Sequence, residues 1–491
     1  MRIKVFYLFL AAALLFSCKG KEDTEPVVYP APVLTGTNPA DGLKDYEGKS
    51  ITVTFNFNQP VKCPDTGRNR ITVDNGARIN GVFVPGNNVA ITVEGLAEGL
   101  TYTLTIPKGT ILGTKSENQE AAASITYTFS TKEKKPGPDP DPSGDLDKSL
   151  SNANASDQAK KVFAFLLGQY GVKTLSGVQS EDTANNNAHV NLVYSKTGKH
   201  PALAGYDFIF LQFSPTPDNW GWKVNYGDMS APIEQWNSNG LVNYMWHWNV
   251  PNSKSDWEKG KLYPGAGYSF DGYAFYSEQT SFSIENALKE GTWEHDFIMS
   301  DMQKVAGYLK ILQDAGVPVI WRPLHEAAGN YNLYGKKNNA WFWWGRGGAE
   351  PCKRLWKLMR ETFEQKYGLN NLIWVWTLDA TKGAESEWAD WYPGNDCVDI
   401  VGVDIYAEDT NAKTEQYKAA LALSGGHKMT TISECGNIPD PAKCAFANNK
   451  WSWFLVWASG TKDFKMNTDA YWKQIMAENN VISREDMPSL K

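Results

Sequence analysis

The sequence predicts an α/β chain in two folded units, a (β/α)8 barrel preceded by a small antiparallel β-sandwich. Three observations carry that reading. Residues 32–131 run in short stretches of alternating apolar and polar residues broken by turn residues, residues 132–146 are rich in Pro and charge, and from 147 onward near-continuous apolar runs alternate with helix-like segments. At 491 residues the chain exceeds one ordinary domain and has room for a large core plus a smaller one.

In the first unit, Ile51-Thr52-Val53-Thr54-Phe55-Asn56-Phe57 and the runs starting at Val89, Thr101 and Ile125 alternate with period two. Successive strand side chains point to opposite faces, so this pattern buries one face of each strand, as in a sandwich. Thr37-Asn38-Pro39-Ala40-Asp41-Gly42 and Phe57-Asn58-Gln59-Pro60-Val61 resemble a bacterial Ig-like domain. A spacer role is expected; carbohydrate binding is the alternative, although the stretch contains no Trp to stack on a sugar. Residues 132–146 form an extended, solvated linker because they cannot bury a core.

Eight strand candidates follow within residues 147–491, at 174–179, 202–208, 241–249, 318–325, 372–378, 398–406, 429–433 and 452–458. Ile298, Met302, Val305, Leu309 and Leu312 recur at three- and four-residue steps, as do Cys352, Leu355, Met359 and Phe363, marking amphipathic helices between strands. Strands apolar on both faces, alternating with such helices, make a parallel sheet covered outside, and eight repeats favour closure into a barrel. An open doubly wound sheet is the other reading, but no Gly-rich phosphate loop follows the first strand.

Residues 1–17 read as an export signal: Arg2 and Lys4 precede an apolar run from Val5 to Phe16 that is too short to remain as a membrane span. Leu15-Phe16-Ser17-Cys18 resembles a bacterial lipobox, which implies a lipid on Cys18; a simple secretory signal is the alternative. Residues 18–31 then form an anchor segment whose Lys19, Lys21, Glu22 and Asp23 resemble the charged tag of surface-displayed lipoproteins. The expected location is the bacterial outer membrane, facing outward. Of the remaining cysteines, Cys63, Cys352, Cys397, Cys435 and Cys444, an odd number cannot all pair; Cys435 with Cys444 is one candidate bridge. No Cys/His spacing of a zinc site is present. A net charge of −7 with both signs interspersed offers no basic face for nucleic acid. The 20 Trp and 22 Tyr exceed what a core requires and suit stacking on sugar rings, part of them being core.

In a (β/α)8 barrel the chemistry gathers at strand C-termini. The fourth candidate strand leads into Arg322-Pro323-Leu324-His325-Glu326 and the seventh into Ser433-Glu434-Cys435-Gly436, so each places a carboxylate at the rim. Two such groups across one mouth suit glycosidic hydrolysis, one protonating the leaving oxygen and the other attacking the anomeric carbon. A lone rim Glu is ordinarily a salt-bridge partner; the pair in this topology changes that balance.

These two motifs, with Trp341-Phe342-Trp343-Trp344-Gly345 downstream, resemble glycoside hydrolase family 26 over residues 147–491. The resemblance implies Glu326 as acid/base and Glu434 as nucleophile of a retaining endo-β-1,4-mannanase, with β-1,3-xylan or mixed-linkage β-glucan as alternative substrates. It implies sugar contacts from His247 and His325, and a Tyr406 that hydrogen-bonds the nucleophile. Arg322, an even number of residues before Glu326, points into the barrel to orient a carboxylate or serves as a structural ion pair. Asp404 shares the strand face of Tyr406 and is a further candidate contact. Trp457 is a candidate floor of the cleavage subsite and Trp341 a candidate leaving-side platform. A Gly/Asn/Tyr-containing insertion at 327–340 leaves Tyr331 and Tyr334 as substitutes for Trp341. A non-catalytic glycan-binding protein is the competing class, but binding alone does not require paired rim carboxylates. No metal or organic cofactor is implied, and the expected partners are β-mannan and, through the lipid anchor, a membrane, with the chain a monomer.

Overall fold

The computed structural model describes residues 29–97, 99–115, 122–132, 145–180, 185–216, 223–258, 272–331, 340–380, 388–457 and 467–491. Two compact units divide between Pro136 and Gly137. Cys18, most of the linker and Tyr334 lie outside the described residues.

The first unit is a sandwich of two four-stranded sheets. One sheet holds Leu34–Asn38, Ser50–Phe57, Asn88–Glu94 and Arg78–Phe83; the other holds Leu43–Tyr46, Ile125–Thr131, Thr101–Ile106 and Thr72–Val73. The period-two pattern does its expected work: Val53, Phe55, Val89, Ile91, Tyr102, Leu104, Tyr127 and Phe129 fill the core while their chain neighbours face outward. One pairing departs from an all-antiparallel sandwich, since Ile125–Thr131 runs parallel to Leu43–Tyr46.

The second unit is a closed parallel barrel. Its strands are β1 (Thr174–Gln179), β2 (Leu203–Asp207), β3 (Leu241–Met245), β4 (Val319–Arg322), β5 (Leu372–Asp379), β6 (Ile400–Ile405), β7 (Met429–Cys435) and β8 (Trp451–Val456). Neighbours pair in sequence order, and β1 pairs with both β8 and β2 to close the ring. A short strand not expected from the sequence, Val481–Ile482, joins the start of β1 in parallel. Every residue of β2 to β8 is buried, as strands covered by helices outside and side chains inside must be. The helix Trp293–Asp314 begins with Thr292 accepting the His295 N–H and buries Ile298, Met302, Val305, Leu309 and Leu312 on one face. Ala349–Glu361 and the π-turn that continues it bury Cys352, Leu355, Met359 and Phe363 in the same way.

Several strands stop earlier than their apolar runs. β4 ends at Arg322 rather than at residue 325, because Pro323 has no N–H for the ladder and Leu324 and Glu326 take left-handed φ values of 51° and 52°. β3 stops at Met245, leaving Trp246, His247 and Trp248 in the segment above the barrel. All five described cysteines are free and buried, so the Cys435–Cys444 bridge is not formed.

Candidate active site

Strand register assembles the site. Asp379 at the end of β5 lies beside Asp404 of β6, and Asp404 lies beside Glu434 of β7, three acids abreast on the rim. A register shift just before Asp404 sets this alignment. Glu326 enters from the turn after β4, where its N–H donates to the Thr377 carbonyl of β5 at 3.0 Å. That hydrogen bond holds Glu326 in a left-handed conformation that costs a non-glycine residue about 1–2 kcal/mol. One carboxylate oxygen each of Glu326, Asp404 and Glu434 lies within 4.8 Å of the others.

So many acids in a buried space need a counter-charge, and Arg322 supplies it. Its guanidinium, fully buried, donates through Nη1 to Asp404 Oδ2 at 3.0 Å and through Nη2 to Glu434 Oε1, with Met245 Sδ also 3.0 Å from Nη2. Both sequence readings of Arg322 are therefore the same interaction: the ion pair is what orients the carboxylates. The other oxygen of Glu434 accepts from Tyr406 Oη at 2.6 Å. The Tyr406 ring is half exposed at the mouth while its hydroxyl turns inward. Asp404, 1% exposed, gives Oδ2 to Arg322 behind the rim.

The electrostatics divide the acids. Burial, together with the charges of Asp404, Glu434 and Asp379, pushes the Glu326 carboxyl well above the ordinary Glu value, with Arg322 opposing. Burial also raises Asp404; Arg322 pulls it down, while Glu434 and Asp379 push the same way as burial. Burial works against the Arg322 charge, but Asp404 and Glu434 hold it firmly protonated. The Tyr406 hydroxyl is raised by burial and then by Glu434, so it stays a donor. The arrangement is one carboxylate hydrogen-bonded by a cation and a phenol, facing one carboxyl that favours its proton.

Beside this pair runs a string of buried imidazoles. His247 donates its backbone N–H to Asp207 Oδ1 at 3.0 Å and places Nδ1 2.6 Å from Asp207 Oδ2, while His247 Nε2 and His325 Nε2 are 3.3 Å apart. Both His247 nitrogens are thus engaged within the protein. Phe342, Phe275 and Trp457 pack their rings within 5.0–5.7 Å of the His247 ring. Phe342, rather than Trp341, also lies 5.2 Å from the His325 ring. Trp341 is half-buried against Gly329 and Phe342, and Tyr331 packs edge-on against Trp391. The sequence reading missed Asp207 and Asp379, although both are acids at strand C-termini, the same signal that marked Glu434. Phe275 lies in a long loop with no motif around it and carried no signal.

Three clustered carboxylates could hold a divalent cation, but the Arg322 guanidinium already places positive charge on two of them.

The profile of glycosyl hydrolase family 26 matches residues 151–486, and that of a bacterial Ig-like domain matches residues 29–131. The chain belongs to glycosyl hydrolase family 26. Its barrel is similar to the family 26 domain of an endo-β-mannanase/endo-β-glucanase from Prevotella bryantii, 35% identical, with a TM-score of 0.60 over 70% of this chain and 99% of that one. A β-mannanase from a symbiotic protist of the termite Reticulitermes speratus, crystallised with a gluco-manno-oligosaccharide, is 31% identical with a TM-score of 0.56, covering 70% of this chain and 99% of that one. Mannan endo-1,4-β-mannosidase B of Piromyces sp is 34% identical over 347 residues, 69% of this chain and 53% of that protein. The chain thus spans about half the length of the first such relatives. This family 26 site holds one cation amid its acids, which yields a test. Arg322→Met removes the counter-charge shared by two buried acids, Asp404 and Glu434, and stability near pH 7 is expected to fall by about 3–5 kcal/mol. Asp404, already raised by burial, loses the guanidinium that pulls it down, so folding takes up protons there and the deficit shrinks as pH falls through the carboxylate range. Urea unfolding at pH 7 and pH 5 measures both; an equal deficit at the two pH values would contradict the assignment.

Proposed function

We propose that the chain is a retaining endo-β-1,4-mannanase that cleaves mannan, glucomannan or galactomannan by double displacement. The substrate rests on the relatives, which are named mannan endo-1,4-β-mannosidases and of which one is crystallised with a gluco-manno-oligosaccharide. The mechanism rests on one observation above all: one carboxylate oxygen of Glu326 lies within 4.8 Å of one of Glu434. Retaining glycosidases hold their carboxyl groups about 5–5.5 Å apart, whereas inverting ones leave about 6.5–9.5 Å for a water.

Glu326, buried and keeping its proton, donates that proton to the glycosidic oxygen as the bond to the leaving sugar breaks. Glu434, aimed by its hydrogen bonds from Arg322 and Tyr406, attacks the anomeric carbon as a carboxylate and forms a glycosyl ester. Esterification removes the Glu434 charge, one of the influences raising Glu326, so Glu326 more readily acts as base toward the incoming water. When water opens the ester, Arg322 and Tyr406 are in place to receive the returning carboxylate. His325 and the aromatic rings of Trp457, Phe275 and Phe342 line the region beside the pair and suit the apolar face of a sugar.

Reducing-sugar release from galactomannan and glucomannan tests the pair. Glu326→Ala and Glu434→Ala are each expected to lower turnover by about 10²–10⁴-fold or more. Tight mannan binding with no turnover in the wild-type protein would point to the glycan-binding alternative.

We place the mature chain on the outer membrane through a lipid on Cys18, with the Ig-like unit as spacer. The support is the Leu15-Phe16-Ser17-Cys18 pattern behind a short apolar run. Cys18→Ala is expected to move the protein from the detergent-extracted membrane fraction to the soluble one; unchanged membrane retention would refute the anchor.

A further inference from the structure

The string Asp207, His247, His325 has a definite hydrogen-bond polarity that follows from geometry. Asp207 Oδ1 accepts from a backbone N–H, which cannot be anything but a donor. Asp207 Oδ2, as part of a carboxylate, accepts from His247 Nδ1 and so keeps the proton there. A neutral His247 then has a bare Nε2, and the only hydrogen bond its 3.3 Å contact with His325 Nε2 allows is one in which His325 donates. His325, whose charged form is disfavoured above all by burial, is left with a bare Nδ1. That Nδ1 is buried and meets no donor among the described residues. A buried acceptor without a donor is a cost the fold does not ordinarily carry.

We propose that Asp207 is a positioning residue for the reaction centre: through His247 it fixes both imidazoles in single tautomers, so that the ring next to Glu326 is held in one orientation beside the carboxyl pair. It follows that His247 orients His325 rather than hydrogen-bonding sugar through its own ring nitrogens. The effect on turnover rests on the mannanase reading; the tautomers do not.

The decisive variant is Asp207→Asn, which is isosteric but cannot reproduce the acceptor pair. Its amide oxygen must stay on the His247 backbone N–H, so its NH2 faces Nδ1, which must then become the acceptor. His247 is forced to carry its proton on Nε2, and His325 in turn to carry its own on Nδ1. One atom exchanged in Asp207 therefore reverses both rings. The chain has six histidines, few enough for ¹⁵N-histidine NMR with assignment by single His→Gln variants. In the wild-type protein we expect protonated Nδ1 and bare Nε2 on His247, with the opposite on His325. Asp207→Asn is expected to invert both and to lower kcat on mannan by about ten- to a hundred-fold, the range seen when outer partners of metal-bound histidines are removed, with a smaller change in KM. A merely structural role would lower stability without inverting the rings. A wild-type His325 protonated on Nδ1 would overturn the proposal without any variant, as would an Asp207→Asn protein with wild-type tautomers or inverted tautomers and full turnover. Absence of mannan cleavage by the wild type would instead overturn the mannanase reading, while the NMR pattern would still decide the string.

Discussion

The buried guanidinium of Arg322 is the constraint on which the rest of the barrel mouth depends. Parallel register sets Asp379, Asp404 and Glu434 side by side on three successive strands, and the turn after β4 adds Glu326. Like charges this close in a low-dielectric interior cannot all ionise. Arg322 donates to Asp404 and Glu434 and has no hydrogen bond to Glu326, whose carboxyl burial and the neighbouring acids push upward, so the position of one cation decides which carboxylates are hydrogen-bonded and aimed. An Arg suits this task because its planar fork bridges two carboxylates without losing its charge.

Local backbone chemistry serves the same end. Pro323 ends β4 just past Arg322, and two left-handed residues then swing Glu326 across to β5, where the Thr377 carbonyl catches it. The strain is small against the hydrogen bond and packing that hold it, and it brings to one point two groups that a straight strand would have spaced along its length. The proposed division of labour between Glu434 and Glu326 is thus built from a proline, a register shift and one arginine.

Much of this was legible in the sequence. Eight apolar runs located all eight barrel strands, because strands buried on both faces leave continuous apolar stretches. The ends were less legible: Trp246 to Trp248 continue the apolar pattern of β3 but serve the mouth, and only Pro323 hinted that β4 stops at Arg322. Strand-end carboxylates revealed Glu326 and Glu434, yet Asp207 and Asp379, marked by the same rule, lacked a recognisable motif. Side-chain partnerships such as His247 with His325, or Phe342 beside both histidines, arise from packing between distant loops that one-dimensional spacing does not encode. The Ig-like unit was legible through a different pattern, a period-two alternation that survives intact in the buried faces of its sheets.

The central claim is that Glu434, not its neighbour Asp404, is the carboxylate poised as nucleophile by Arg322 and Tyr406. Its most direct test is covalent trapping with a mannosyl fluoride carrying fluorine at C2, which slows hydrolysis of the glycosyl ester, followed by mass spectrometry of the digested protein. The expected result is one mannosyl adduct per chain, on the peptide containing Glu434 and localised to that residue. An adduct on Asp404, or turnover of mannan with no adduct and first release of the opposite anomer, would contradict the assignment.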